Sequence, residues 1–187
     1  MNKPNKNLTN QLRCGEVAII PTDTIYGIVG SALNQATVER IYTLRRRAPN
    51  KPMIILISSL ADLEKFNIKL DGFTKDFLTK HWPAALSVVL PCSDLKFKYL
   101  HRGTQALAFR MPAKEDLLNL LKRVGPLVAP SANFEGEKPA ETIAEAQKYF
   151  GNKIIYIAGG KLSGEPSTLV EIKNGQIEIL RQGTFKI

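Results

Sequence analysis

Short apolar runs rich in β-branched residues recur along the chain, and helical patterns separate several of them. Strands that alternate with helices in this way predict parallel pairing through helical crossovers. Near the C-terminus, Asn174-Gly175 separates two alternating runs, and Asn-Gly tolerates the positive φ angles of a type I′ turn, so we predict an antiparallel hairpin there. The sequence therefore predicts an α/β fold with a twisted, mixed parallel and antiparallel open sheet and flanking helices. The predicted strands are 17–20, 53–57, 86–90, 106–111, 127–129, 154–157, 168–172 and 177–180.

Capping residues mark the predicted helices. A polar side chain before an apolar pattern of helical spacing marks a start, and a glycine just after such a pattern marks an end. The predicted helices begin after Asn34 and after Ser59, span 74–80, run from Pro112 to Gly125, and run from Thr142 to Gly151.

The length of 187 residues suffices for one domain without a disulfide or a structural metal. The first ten residues are polar and lack the apolar segment of a secretory signal. We therefore predict a flexible tail over 1–10 and a single domain over 11–187. No apolar run approaches the ~20 residues of a membrane helix. Cys14 and Cys92 lie in no metal-binding pattern, which favours reduced thiols in a cytoplasmic protein.

The formal net charge of +9 favours anionic partners. Such an excess attracts nucleic acid, nucleotides or phosphorylated partners. A solvated basic surface without a specific partner explains the charge equally well, so charge alone does not decide between these interpretations.

Cations and hydroxyls lie where several predicted strands and one predicted helix end. Loops at strand ends are held rigidly by the sheet and carry function in open α/β folds. Each residue also has a simpler explanation: the arginines at 45–47 suit the last turn of a helix, and Ser131 and Asn133 suit a turn. Arg110 follows apolar residues, where a half-buried guanidinium needs an anionic partner. Together these groups suit a ligand with a triphosphate and a carboxylate.

Six short motifs at these ends resemble those of the YrdC/Sua5 family in order and in approximate spacing. No GxGxxG or GxxxxGK[ST] motif occurs, so the dinucleotide fingerprint and the Walker loop are both absent. The resemblance extends from about residue 11 to residue 183, and it implies a single YrdC-like catalytic domain without the C-terminal domain of longer members. The motifs are PTDTIYG, LRRRAPNKP, FRMP, PSAN, PSTLV and LRQG.

The resemblance implies a role for each residue that matches a family motif. Arg45 and Arg47 are implied as catalytic residues. ATP binding is implied for Arg45, Arg47, Lys51, Ser131, Asn133 and Arg181. Threonine binding is implied for Thr24, Arg110, Ser131 and Ser167. No metal ligand is implied, and Asp23 would either help to place Mg²⁺ or cap its loop.

Three positions depart from the family pattern. Arg45 stands where lysine is usual, which keeps the charge but spreads it over a planar fork. Glu135 stands where serine is common after Ser-Ala-Asn, and it adds a negative charge near the implied nucleotide site. Gln182 stands where proline is common after the last arginine.

The family reaction joins L-threonine, bicarbonate or CO₂, and ATP to form threonylcarbamoyl-adenylate and pyrophosphate. The product serves the N6-threonylcarbamoyl modification of adenosine 37 in transfer RNA. The resemblance therefore implies ATP as a substrate, Mg²⁺ with it, and the threonylcarbamoyl transferase machinery as a partner. The resemblance also implies tRNA or double-stranded RNA as a partner, and it implies no membrane.

Two other functions stay open at this point. A basic RNA-binding module of the same fold without synthase activity would also explain the net charge. The YrdC-like domain of hydrogenase-maturation carbamoyltransferases uses carbamoyl phosphate, but it comes with zinc-finger segments, and this chain has no CxxC pair.

Overall fold

The computed structural model describes residues 6–173 and 175–187, and its strands form one mixed sheet of nine. The strands are β1 (Ala18–Pro21), β2 (Tyr26–Ser31), β3 (Ile54–Leu56), β4 (Leu86–Pro91), β5 (Ala106–Arg110), β6 (Leu127–Val128), β7 (Ile155–Tyr156), β8 (Thr168–Lys173) and β9 (Gln176–Arg181). Their order in the sheet is β7-β1-β2-β6-β3-β5-β4-β8-β9. This arrangement confirms the predicted mixed α/β sheet.

The sheet contains both parallel and antiparallel pairs of strands. The parallel pairs are β1 with β7, β3 with β5, and β4 with β8. The remaining pairs of neighbours are antiparallel. The predicted hairpin is confirmed, because Lys173 pairs with Gln176 and Gly175 has a φ of +72°. Asn174, the other residue of the predicted turn, lies outside the described residues.

The strand β2 is missing from the predicted set because two glycines interrupt its apolar pattern. Close packing requires glycine at position 30 and leaves little room for a side chain at position 27. A Cβ at Gly30 would lie 2.4 Å from Thr37 Cγ2, so the following helix could not pack as closely on this strand. A Cβ at Gly27 would lie 3.3 Å from Thr22 Cγ2. The glycine pattern that hides this strand in the sequence thus follows from its tight packing.

The helices are α1 (Lys6–Arg13), α2 (Gln35–Arg45), α3 (Gly72–His81), α4 (Lys98–His101), α5 (Glu115–Val124) and α6 (Ile143–Phe150). Two 3₁₀ helices, Leu60–Phe66 and Leu95–Phe97, complete the set. As predicted, the side chains of Asn34 and Thr142 cap α2 and α6 by accepting the amides of Thr37 and Glu145.

The predicted start of α5 is wrong by three residues. The helix begins at Glu115 after Lys114, and Pro112 lies outside it. Pro112 follows β5 directly, and Asp23 accepts the next amide, that of Ala113, at 3.1 Å. A side chain from a distant loop therefore holds this segment before the helix begins.

The predicted flexible tail over 1–10 is wrong for residues 6–10, which belong to α1. Leu8 and Leu12 lie on one face of this helix and are 7% and 0% exposed. They pack against Leu117 and Leu121 of α5, and burial of this apolar face stabilises the helix. Residues 1–5 lie outside the described residues.

Alternate residues of the strands pack on the two faces of the sheet. On one face, α1 and α5 cover Ala18, Ile20 and Leu56. The larger cluster on the other face includes Val17, Ile19 and the residues under α2. No helix among the described residues is long and apolar enough to cross a membrane.

Candidate active site

A cavity of about 600 Å³ lies over β5, β4 and β8, on the face that α1 and α5 cover elsewhere. Its floor is a row of residues paired across the sheet: Ile54 with Ala108, Ala108 with Val89, and Val89 with Glu171. The intervening residues Phe109, Val88 and Val170 point to the opposite face and are fully buried. The strand period of two therefore gives the cavity an apolar floor with a carboxylate at one side.

All but one of the predicted site residues line this cavity. They come from the loop after β1, the end of α2 with the loop after it, the end of β5, the loop after β6, the loop before β8, and the end of β9. The lining residues among them are Thr24, Arg45, Arg47, Arg110, Ser131, Asn133, Ser167 and Arg181. Lys51 is the predicted residue that is not part of the lining.

Arg45 ends α2 and is buried against the loop that follows β6. Its Nε donates to the carbonyl of Asn133 at 3.1 Å, and its Nη2 donates to Ser131 Oγ at 3.2 Å and to Asn133 Oδ1 at 3.3 Å. The Nη1 atom is buried without a hydrogen-bond partner. Burial, and after it the nearby Arg47, lowers the pKa of Arg45 to about 10, while Glu135 opposes this shift. The group is still charged at neutral pH.

Asn133 uses its amide to shape its own loop. Its Nδ2 donates to the carbonyls of Phe134 and Glu137, at 2.7 and 2.8 Å, while its Oδ1 accepts from Arg45. Both amide hydrogens therefore have partners. The side chain is 4% exposed and holds Arg45 and the loop together.

Arg47 is half-buried and lies on the loop between α2 and β3. Its Nε donates to the carbonyl of Lys51 at 3.0 Å, and its Nη2 donates to the carbonyl of Pro52 at 2.8 Å. The Lys51 side chain points instead to Glu135, with 2.6 Å between Nζ and Oε1. The guanidinium lines the cavity, and the ammonium does not.

Arg110 ends β5 and lies between two residues of the loop after β1. Its Nη1 donates to Thr24 Oγ1 at 3.1 Å, and its Nη2 forms an ion pair with Asp23 Oδ1 at 3.2 Å. The Nε atom is buried without a hydrogen-bond partner. Burial lowers the pKa of Arg110, Asp23 opposes this, and Arg181 adds to the lowering. The Asp23 carboxylate therefore contacts both Arg110 and the Ala113 amide.

Ser167 lies beside Arg181 at the same end of the cavity. Its Oγ shares a hydrogen bond with Ser87 Oγ at 2.8 Å, and Arg181 Nη2 donates to its carbonyl at 2.7 Å. Burial also lowers the pKa of Arg181. Ser87 is fully buried in β4 and was not predicted, because a single serine in an apolar strand gives no signal of the residue opposite it.

Sequence reasoning also missed the cavity floor and two acidic residues, Glu137 and Glu171. The small side chains Ala106 and Ala108 alternate in β5 with the buried Leu107 and Phe109, and this alternation was the available signal. In the described part of the chain, no group of three or more His, Cys, Asp or Glu side chains could hold a metal ion.

The four cavity arginines form two pairs. Arg45 and Arg47 are close enough that one lowers the pKa of the other, and the same holds for Arg110 and Arg181. Like charges held together in a half-enclosed cavity favour anionic ligands. The lining therefore suits one molecule or two that carry several anionic groups, with an apolar portion on the floor.

This chain is similar to a known family and to proteins of that family over most of its length. The Sua5/YciO/YrdC family model, described as telomere recombination, matches residues 10–183. The threonylcarbamoyl-AMP synthase of Pyrococcus abyssi is 33% identical over 176 residues, which are 92% of this chain and 52% of that protein. The threonylcarbamoyl-AMP synthase of Pseudoalteromonas translucida is 30% identical over 168 residues, which are 87% of this chain and 90% of that protein.

A solved structure shows the same fold. The crystal structure of P. abyssi Sua5 complexed with L-threonine superposes with a TM-score of 0.87 and 30% identity, covering 95% of this chain and 53% of that one. This chain thus spans about half the length of the P. abyssi protein. The family match over nearly the whole chain, together with a shared fold, makes this chain a member of the Sua5/YciO/YrdC family.

Proposed function

We propose that this chain is an L-threonylcarbamoyladenylate synthase, which forms threonylcarbamoyl-AMP and pyrophosphate from L-threonine, bicarbonate or CO₂, and ATP. The observation that carries the proposal is that four arginines line one cavity, Arg45 and Arg47 from the end of α2 and Arg110 and Arg181 from the ends of β5 and β9. Such a cavity accommodates a nucleotide triphosphate and an amino acid carboxylate next to each other. Relatives named threonylcarbamoyl-AMP synthase support the same reaction.

ATP would bind with its phosphates at Arg45 and Arg47. The buried Nη1 of Arg45 has no protein partner, so a phosphate oxygen can accept its hydrogen bond. Ser131 lies next to it, and Asn133 would act by holding Arg45. Arg181 lies near Arg110, so it would contact the α-phosphate, which must lie closest to the amino acid for the reaction to occur.

Threonine would bind at the other end, with its carboxylate on Arg110. The Nε of this arginine is buried and has no protein partner, which leaves a donor for the carboxylate. The hydroxyls of Thr24 and Ser167 lie within hydrogen-bond reach of the Arg110 and Arg181 guanidinium groups. They would bond the polar groups of the bound amino acid.

The reaction then needs positioning and charge neutralisation more than a covalent nucleophile. The neutral amine of threonine attacks the carbon of CO₂, and the amine proton is lost to form a carbamate. A carbamate oxygen attacks the α-phosphorus, and the bond to the β-phosphate oxygen breaks to release pyrophosphate. Arg45 and Arg47 offset the charge that grows on the leaving group.

We propose that Mg²⁺ accompanies ATP rather than occupying a protein cage. The described residues offer no group of acidic ligands, and Asp23 is paired with Arg110. Mg²⁺ is commonly held through substrate phosphates and waters. We further propose that the protein acts in the cytoplasm and supplies its product to the threonylcarbamoyl transferase machinery for tRNA modification.

Pyrophosphate release from ATP tests the proposed function. We expect release only when threonine and bicarbonate are both present, and loss of release when either is omitted. Release with carbamoyl phosphate in place of threonine and bicarbonate would favour the carbamoyltransferase chemistry. No release under any condition, with RNA binding retained, would leave the RNA-binding module as the function.

A further inference from the structure

Two loops that carry site residues are joined by Lys51 and Glu135. The Lys51 Nζ lies 2.6 Å from Glu135 Oε1, and the other carboxylate oxygen accepts the backbone N–H of Ala48. One carboxylate therefore holds both ends of the short segment 48–51. The Lys51 and Glu135 side chains are 60% and 22% exposed.

The same segment positions Arg47. The guanidinium of Arg47 donates to the carbonyls of Lys51 and Pro52, so its direction depends on where the backbone of this segment lies. Tyr42 also donates to the Lys51 carbonyl at 2.8 Å. A shift of the segment away from Glu135 would move the acceptors that aim Arg47 into the cavity.

Glu135 also contacts the end of α2. Its backbone N–H donates to the carbonyl of Arg45 at 2.9 Å. The hydrogen bond from Lys51, and then the one from Ala48, lowers the pKa of the Glu135 carboxyl, so the carboxylate is charged at neutral pH. The residue thus touches the backbone of one cavity arginine and restrains the loop of the other.

We propose that Lys51 and Glu135 form a positioning pair that aims Arg47 at the ATP phosphates, and that Lys51 itself does not contact the nucleotide. This inference rests on the proposed function, because it assigns the phosphate contact to Arg47. It replaces the role that family resemblance implies for Lys51. The glutamate that departs from the family pattern thereby acquires a function.

A double-mutant cycle separates the two roles of Lys51. The variants are Lys51→Met, Glu135→Gln and the double variant, each measured for ATP affinity by calorimetry and for the ATP KM of pyrophosphate release. We expect each single variant to weaken ATP binding several-fold and the double variant to be no weaker than the weaker single one. The KM for threonine should stay unchanged in all three.

A charge-exchanged variant and a matched control complete the experiment. Lys51→Glu with Glu135→Lys restores the pair in reverse and should recover part of the lost ATP affinity. Glu16→Gln removes the carboxylate of an exposed ion pair with Arg40, 3.0 Å long and outside the cavity lining, and should leave ATP affinity at the wild-type value. Exposed ion pairs add little to global stability, so we expect all variants to fold.

Several outcomes would contradict the proposal that Lys51 and Glu135 act as a positioning pair. If Lys51→Met weakens ATP binding and Glu135→Gln does not, Lys51 is a direct phosphate ligand. If the two effects add in the double variant, the residues act independently. If the wild-type chain binds ATP but releases no pyrophosphate with both co-substrates, the proposed synthase activity is overturned instead. The calorimetric ATP affinities still test whether Lys51 and Glu135 act as a pair. A wild-type chain that does not bind ATP overturns both.

Discussion

Arg45 and Arg110 are 3% and 4% exposed, and each has one buried guanidinium nitrogen without a hydrogen-bond partner among the described residues. A buried donor that lacks a partner costs on the order of 1–3 kcal/mol. Ser131, Asn133 and Thr24 accept hydrogen bonds from other nitrogens of the two groups, and Asp23 forms an ion pair with Arg110. The unpaired donors are therefore preorganised for the two anionic groups of the proposed substrates.

Substitution of Arg110 tests the carboxylate contact. Arg110→Lys keeps the charge but loses the Nε donor and the planar fork. Since a charge-assisted hydrogen bond contributes about 1.5–3 kcal/mol, we expect kcat/KM for threonine to fall by roughly tenfold or more. The ATP KM should change much less. Pyrophosphate release at varied threonine measures both, and an unchanged kcat/KM for threonine would remove Arg110 from the site.

The hydroxyls of Thr24 and Ser167 make a second prediction at this scale, on amino acid selectivity. A site that bonds a substrate hydroxyl rejects an analogue without it by about 10⁴-fold, whereas one methyl group changes the rate by about 10–200-fold. We therefore expect valine to be rejected far more strongly than serine. Competition between amino acids in the pyrophosphate assay measures this. Equal use of valine and threonine would contradict a hydroxyl contact, and Ser167→Ala should reduce the discrimination.

At the level of elements, α2 and β2 bring Arg45 to the cavity by close approach. Thr37 and Ile41 of α2 lie directly over Gly30 of β2, where any Cβ would collide with them. Asn34 caps the start of the helix, and the Thr37 hydroxyl donates to the Gly15 carbonyl at 2.8 Å. These contacts at the first turn fix where α2 lies, and therefore where its last residue, Arg45, lies.

Gly30→Ala tests this close approach. The added Cβ would lie 2.4 Å from Thr37 Cγ2 and 3.1 Å from Ile41 Cδ1, and overpacking of this kind destabilises by about 1–3 kcal/mol. We expect the free energy of unfolding in urea to fall by that amount and ATP affinity to fall with it, because α2 carries Arg45.

Two further variants are controls for this effect. Thr37→Ser removes the methyl group that collides and keeps the hydroxyl, so it should recover part of the lost stability in the Gly30→Ala background. A Cβ at Gly72, the first residue of α3, would meet nothing within 4 Å, so Gly72→Ala should be neutral or slightly stabilising. Equal losses for Gly72→Ala and Gly30→Ala would contradict collision as the cause, because a Cβ at Gly72 meets no neighbour.

For the whole molecule, the sheet order decides which residues share the cavity. Residues 24, 45, 110, 131, 167 and 181 are far apart in the chain, yet all line one space because their strands and loops meet across the sheet. The floor also joins four neighbouring strands, β3, β5, β4 and β8. A ligand that bridges both arginine pairs would therefore stabilise the native state of the entire fold.

Thermal unfolding with substrates tests this whole-molecule coupling. A ligand at 100 times its Kd raises the free energy of unfolding by about 2.7 kcal/mol, and so raises the Tm. We expect ATP to stabilise the wild type and Arg110→Met alike, and threonine to stabilise only the wild type. Arg110→Met should itself unfold at lower temperature, because it leaves the buried Asp23 unpaired. Stabilisation of that variant by threonine would place the carboxylate elsewhere.

The sequence by itself determined most strands, the capped helices, the C-terminal hairpin, and the presence of cations and hydroxyls at strand ends. These features are local: hydrophobic periodicity, caps and turn residues report on neighbours along the chain. Resemblance to the family added the pairing of particular residues with particular substrates.

Only the tertiary structure decided which side chains meet. It showed that Ser87 contacts Ser167, that Asp23 pairs with Arg110, and that Lys51 points to Glu135 rather than into the cavity. It also revealed β2, in which Gly30 is required by the helix α2 that packs on it. Contacts between residues distant in the chain depend on sheet order and on the need of buried polar groups for partners, and neither leaves a periodic pattern in the sequence.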